Sequence, residues 1–283
     1  IFASQLRDLL GLTIVGHDGA PAPGVAKSWS VSADGLRWTF LLRPEARWSN
    51  GDPVVAADFV AALQRLVDPA TRSQYAQVVD SIRHAREIIA GRQPPTALGV
   101  VAPDPATVVI ELESPTPYLP GLMSHWSTMP VHRPTLAREG AGFVKPGVLV
   151  GNGAFRLVAW VQGAQLDLER NRQYWNDAAT RLEAVRFVTQ SDENAEYQRW
   201  RSGELHVTAT VPRGQFDNIR REHAAALKLG PQLGTYYFGL NLDREPFRSQ
   251  PGLRRALSLA LDRERITGSV TRVGELPANG WVP

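Results

Sequence analysis

A change of hydrophobic period across one turn constrains this chain more than any other feature. Between Gly35 and Arg43, Trp38, Phe40 and Leu42 alternate with Arg37, Thr39 and Leu41. That is the period of a strand with one large apolar face. Ser49-Asn50-Gly51-Asp52-Pro53 follows as dense turn chemistry, with Asn-Gly able to supply positive φ. Phe59, Val60, Leu63, Leu66 and Val67 then recur at helical spacing, and Asp68-Pro69 stops the helix. A strand and a helix therefore follow one another across this turn.

The rest of the chain mixes the two periods without strict alternation. Val108, Ile110 and Leu112 predict a strand, as do 154–160, 165–169 and 184–188. Residues 91–99, with two prolines and two glycines, predict a loop. Residues 114–147 are rich in Pro and Gly, and the most linker-like stretch is 129–151. Asp192 is placed to cap a helix ending at Ser202 with Gly203 as terminator. Beyond it come a strand over 205–211, a helix over 213–227 and an aromatic strand over 234–242. Pro251 suits a first helical turn, after which Leu253, Leu257, Ala260, Leu261 and Ile266 line one face. This pattern predicts α/β or α+β architecture with mixed sheets, not a barrel or an all-β sandwich.

Length and composition bound the function. A chain of 283 residues suits two ordinary domains. It has 31 basic and 28 acidic residues, scattered in mixed sign, which argues against nucleic acid as a partner. With no cysteine, disulfides, thiol catalysis and Cys-based metal sites are excluded. No run approaches the ~18 apolar residues of a membrane span. Ile1 to Leu10 carries Arg7 and Asp8 and does not read as a signal peptide, so an exported protein would have lost its leader already.

Enzyme constellations are missing. The sequence has no G-x-S-x-G, H-E-x-x-H or G-x-x-x-x-G-K-[ST]. Gly151-Asn152-Gly153 begins like a dinucleotide loop, but Arg156 stands where the third glycine belongs, so it reads as a hairpin turn. No two of the six histidines (17, 84, 125, 132, 206, 223) are three or four residues apart, so no helix-borne metal site is predicted. Glu111 and Glu113 share a strand face, which is ordinary for a solvated strand and does not make an acid–base pair.

Several segments together resemble one family. They begin with Pro23-Gly24-Val25-Ala26-Lys27-Ser28-Trp29 and the stretch from Asp34 to Arg43. Ala46-Arg47-Trp48-Ser49-Asn50-Gly51-Asp52-Pro53-Val54 and Ala57-Asp58-Phe59-Val60 follow. These look like the signature of extracellular solute-binding proteins for peptides and nickel that serve ABC importers. Ile88 to Pro95 and Leu98-Gly99-Val100 are similar to its oligopeptide-binding branch. Glu169 to Trp175, Arg201 to Glu204, Thr235 to Phe238 and Ala256 to Arg263 continue the likeness. Trp29, Trp38, Phe40, Trp48 and Phe59 are expected in core and turn rather than against ligand.

The resemblance implies an α/β, two-lobed periplasmic-binding-protein fold (type II) with an extra α+β domain. Residues 10–132 would be the extra domain, 1–9 and 133–233 the first lobe, and 234–283 the start of the second. Most of the second lobe is expected to be missing, and weak or no peptide binding is expected of this length of chain. The implied function is the substrate-binding component of an ABC peptide importer, periplasmic or extracellular, free or membrane-anchored. It would be a monomer with no enzymatic activity and no cofactor or metal, with an oligopeptide and the importer's membrane subunits as partners. Murein peptide, a sugar or a metal chelate as ligand, and a ligand-sensing role, stay open. By resemblance Tyr75 reaches the cleft from the extra domain and Tyr237 lies near the lobe boundary, each with a packed aromatic as the alternative. Thr208, Ala209 and Thr210 match a ligand-facing strand. Ala56 stands where a threonine would cap the helix, a loss of ~1 kcal/mol. Gly234 stands at a position that is cysteine in some relatives.

Overall fold

The computed structural model describes residues 9–16, 18–230 and 234–281, so His17 and residues 1–8 lie outside the described residues. Trp38, Phe40 and Leu42 are all buried on one face of a strand, here called β4 (Arg37–Leu42). It lies between β3 (Ala26–Val31) and β6 (Thr107–Glu111), and β5 (Val100–Asp104) closes the far edge. All three pairings are antiparallel. A short hairpin, β1 (Thr13–Val15) with β2 (Pro21–Pro23), precedes them.

Helix α1 (Ala56–Val67) lays Phe59, Leu63, Leu66 and Val67 onto this sheet. Phe59 and Leu63 are fully buried, each contributing roughly 1.5–3 kcal/mol by removal from water. The helix ends at Asp68, extended at ψ 118°, because a residue before proline is pushed out of the helical region. Its start corrects one expectation. Ala56 is the first helical residue and Val55 holds the cap position. The Val55 N–H donates to the Asp58 carboxylate (3.1 Å), so the absence of threonine at 56 removes no bond.

The core under this sheet draws its buried side chains from Leu12 to Met123. It includes the short helices α2 (Ala85–Ile89) and α3 (Leu119–Leu122). A second core is separate and small. Leu157, Leu166 and Leu168 bury one face of the meander β7 (Phe155–Val161), β8 (Gln165–Arg170) and β9 (Ala184–Val188). Between the two cores lies the stretch expected to be a linker. Instead it forms α4 (Arg133–Glu139), with His132 and Thr135 buried. The signal was masked because histidine is an unusual cap: His132 Nδ1 accepts the Thr135 N–H (3.3 Å).

The chain divides into two compact units at Thr189/Gln190, inside the stretch 133–233. In the second unit Asp192 caps α5 (Glu193–Arg201) by accepting the Ala195 N–H (2.7 Å), and Gly203 follows at φ +81°. Helix α6 (Phe216–Glu222) is shorter than the predicted 213–227, with a single 3₁₀ turn (Arg213–Gln215) ahead of it. Helix α7 (Pro251–Ala260) starts at Pro251 as predicted. The strands predicted over 205–211 and 234–242 are not formed. Strand-like alternation needs a neighbour to complete its hydrogen-bond ladder, and among the described residues this unit has no strand to supply one.

Candidate functional site

Tyr75 precedes a 3₁₀ turn (Ala76–Val79) that packs on α1. Its ring meets two others from a loop about 50 residues on. His125 lies 5.5 Å away and Trp126 4.4 Å away at 69°, while His125 and Trp126 stack at 5.1 Å. Tyr75 is both packed and 37% exposed, so the cluster forms an aromatic shelf open on one side. The His125 Nδ1 accepts the Ser127 N–H (3.2 Å) and sits 2.7 Å from the Ser127 hydroxyl. The ring proton of neutral imidazole is therefore on Nε2. Burial pushes the His125 pKa below its ordinary 6.5, which keeps the ring uncharged at neutral pH. Such a shelf can stack on a planar or apolar group and offer N–H and O–H donors at its rim.

The other expected residues belong to the second unit. Thr208 is half-buried and Ala209 and Thr210 are exposed, in a loop rather than a strand. The Ala209 N–H is already engaged, donating to Glu196 Oε1 on α5 (2.9 Å). Tyr237 is 58% exposed, with its ring 4.3 Å from that of Trp281. Tyr236 and Phe238 beside it are more exposed still. His125, Trp126 and Trp281 were not singled out from the sequence as site residues. The adjacency of His125 and Trp126 was the available signal.

Residues expected to be structural are so. Trp38, Phe40, Trp48 and Phe59 are buried, and Trp29 tilts against Phe40 (6.2 Å). Glu111 pairs with Arg83 (2.6 Å) and Glu113 accepts the His84 N–H (2.8 Å), so neither is held by the other. Asn152 lies in the run into β7, not in a hairpin turn between strands. Its side chain is buried and bonds both main-chain groups of Leu10 (2.8 and 3.1 Å). Among the described residues no group of three or more His, Cys, Asp or Glu could hold a metal ion. None of the described helices is long and apolar enough to cross a membrane.

Comparison with known proteins agrees with this geometry. Residues 20–283 match the family described as bacterial extracellular solute-binding proteins, family 5 Middle. The periplasmic oligopeptide-binding protein OppA of Escherichia coli (strain K12) is 40% identical over 98% of this chain and 51% of its own length. The periplasmic murein peptide-binding protein MppA of the same organism is 37% identical over 98% of this chain and 52% of its own. The crystal structure of Haemophilus influenzae OppA in complex with RPPGFSPFR superposes with a TM-score of 0.93 at 36% identity. That match covers 99% of this chain and 55% of the other. The chain thus spans about half the length of these relatives and shares their α/β fold over that half. Nearly end to end, from the signature turn to the last helix, the chain belongs to the bacterial extracellular solute-binding proteins, family 5.

Proposed function

We propose that this chain is part of the substrate-binding component of an ABC peptide importer, located in the periplasm or outside the cell. The observation that carries the reading is the end-to-end likeness, in sequence and fold, to OppA proteins, one of them solved with a bound peptide. A receptor for many peptides faces a physical constraint. Each buried main-chain N–H or C=O of the ligand must be paired or costs ~1–3 kcal/mol, while the side chains vary. Pairing to the peptide main chain with roomy, hydrated side-chain pockets meets both demands. Tyr75, Tyr237, Thr208, Ala209 and Thr210 are proposed to face the peptide. With the Ala209 N–H used, the segment would contribute its carbonyls and the N–H and hydroxyl groups of Thr208 and Thr210. We propose 10–132 as an extra domain, 1–9 and 133–233 as the first lobe and 234–283 as the start of the second; the separate cores on either side of 132/133 support the first of these divisions.

The protein is proposed to be a monomer without catalytic activity, to bind no nucleic acid, and to hand its ligand to the importer's membrane subunits. In the full-length protein, a pool of mixed short peptides should raise the melting temperature. At ligand near 100 times Kd the gain is about 2.7 kcal/mol. Peptide recovered by mass spectrometry should be intact. No shift with a varied pool would overturn the reading. A second reading, murein peptide as ligand, is favoured by the likeness to MppA. Native mass spectrometry of protein purified without refolding would separate the two by ligand mass.

A further inference from the structure

The signature turn is exposed and flanked by buried Trp48 and Asp58, and its polar groups do not point into the first core. They reach across to the segments that lead into the second. Asp58, at the start of α1, is 3% exposed and collects three donors. Its Oδ2 accepts from Trp48 Nε1 and Val55 N–H (both 3.1 Å), and its Oδ1 from Arg133 Nε (2.9 Å). Asp52 Oδ2 lies 2.9 Å from His132 Nε2, and the His132 ring stands edge-on to Trp48 at 5.3 Å. The Ser49 N–H donates to Gly151 O (2.7 Å), and the Gly151 N–H returns to Ser49 Oγ (3.3 Å).

The two cores on either side share no buried apolar side chain. The junction between them is held by directional bonds, which fix an angle more sharply than non-directional apolar contact. The flank of α1 carries the consequence onward. It packs on Ala76–Val79 and on Trp126–Thr128, the two turns that bear the aromatic shelf. A change at the start of α1 is therefore felt where Tyr75 and Trp126 stand.

We infer that Asp58 with Arg133, backed by Asp52 with His132, is a positioning clamp that fixes the Tyr75–His125–Trp126 shelf relative to the β7–β8–β9 sheet. This rests on the peptide-receptor reading, in which the shelf faces ligand. None of the four clamp residues touches the peptide; they act through α1.

The test uses full-length protein carrying Arg133→Gln, with Arg133→Lys as the conservative control and Asp58→Asn to complete a double-mutant cycle. Arg133 is half-exposed, and without it Asp58 keeps the Trp48 Nε1 and Val55 N–H donors. Well below the melting temperature, Arg133→Gln should weaken peptide Kd by about fivefold or more, a coupling of ordinary size. Arg133→Lys should recover most of that loss. A merely structural role would lower the melting temperature and leave Kd alone. The cysteine-free chain also permits a readout that needs no ligand. Spin labels at Gln77→Cys and Gln162→Cys, both exposed, report the spacing between shelf and sheet. The distance distribution should broaden in Arg133→Gln and sharpen again in Arg133→Lys. If wild type binds no peptide, the receptor reading fails and the distance measurement alone decides the clamp. Unchanged Kd with an unchanged distribution overturns the clamp while leaving the receptor reading intact.

Discussion

Helices α1 and α7 carry the same kind of sequence signal and meet different ends. Each repeats apolar residues along one face. On α1, Phe59, Leu63, Leu66 and Val67 are all buried beneath the four-stranded sheet. On α7 no residue is buried, and along its apolar face Leu257 is 44% exposed and Leu261, just past its end, 41%, while Leu259 on another face is 74% exposed. Within the second unit the buried apolar side chains are Tyr197, Pro212, Phe216 and Ile219 among the described residues, all on or beside α5 and α6. An apolar stripe says which face a helix needs to cover. It does not say what covers it, and the first unit contains its own answer while the second does not.

The largest effect should come from the covered helix. Phe59→Ala is expected to cost about 3–5 kcal/mol, read from the urea midpoint. Should it cost no more than a surface change, the contrast between the helices collapses. Next comes Asp58→Ala, which orphans Trp48 Nε1 and the Val55 N–H. The buried Trp48 Nε1 loses its partner at about 1–3 kcal/mol while the part-buried Val55 N–H can turn to water, so the variant should fall below the core substitution in the same titration. In the second unit the comparable device is the α5 cap. Asp192→Ala should cost ~1 kcal/mol and appear as faster amide exchange at Ala195. Smallest of all, Leu259→Ala should change stability by less than about 0.5 kcal/mol, since it removes little buried surface. A loss of several kcal/mol there would mean that α7 is covered after all.

Acid tests the ion pairs of the first unit. Hydrogen bonds from Arg186 hold the Asp167 pKa below its ordinary 3.8, and those from Arg170 do the same for Asp177. Asn50, then His132, lower Asp52, and Arg92 lowers Glu87. A carboxylate depressed in the folded state adds stability above its unfolded pKa and loses it as pH falls through the folded one. The first unit, which holds these four, should therefore lose stability below about pH 4, whereas neutral to mildly acid pH changes little. Thermal melts from pH 7 down to pH 2 would show it. A flat profile over that range would remove these ion pairs from the account.

What the sequence made legible was whatever is decided locally. Strands 184–188 and 165–169 and the Asp192 cap follow from neighbours in the chain, and the structure agrees to within a residue or so. β3 was not predicted as a strand because its burial does not alternate: Ala26 is inside, while Lys27, Ser28, Ser30 and Val31 are exposed. Segments 205–211 and 234–242 were overread for the opposite reason, since alternation without a pairing partner leaves no ladder. The shelf was half legible. Tyr75 came through resemblance, but its neighbours lie about 50 residues away, a distance no local pattern crosses. The roles of Asp52, Asp58 and His132 were hidden likewise, because their partners stand 75 and 80 residues off.

The bond between Asn152 and Leu10 sets a clock. The two residues are 142 positions apart, and each is the other's partner in both directions. At translation rates of roughly 5–20 residues per second, Leu10 waits roughly 7–30 s for Asn152 to be made. The whole first core, whose residues all lie between them, is synthesised within that interval. Gly11 and Leu12 beside it bond Val25 and Ala26 early in the chain, so the Asn152 side chain adds a long-range tie of Leu10 to a segment already placed. Without residue 152 the first core would keep all its buried side chains and Leu10 would lose only its side-chain partner.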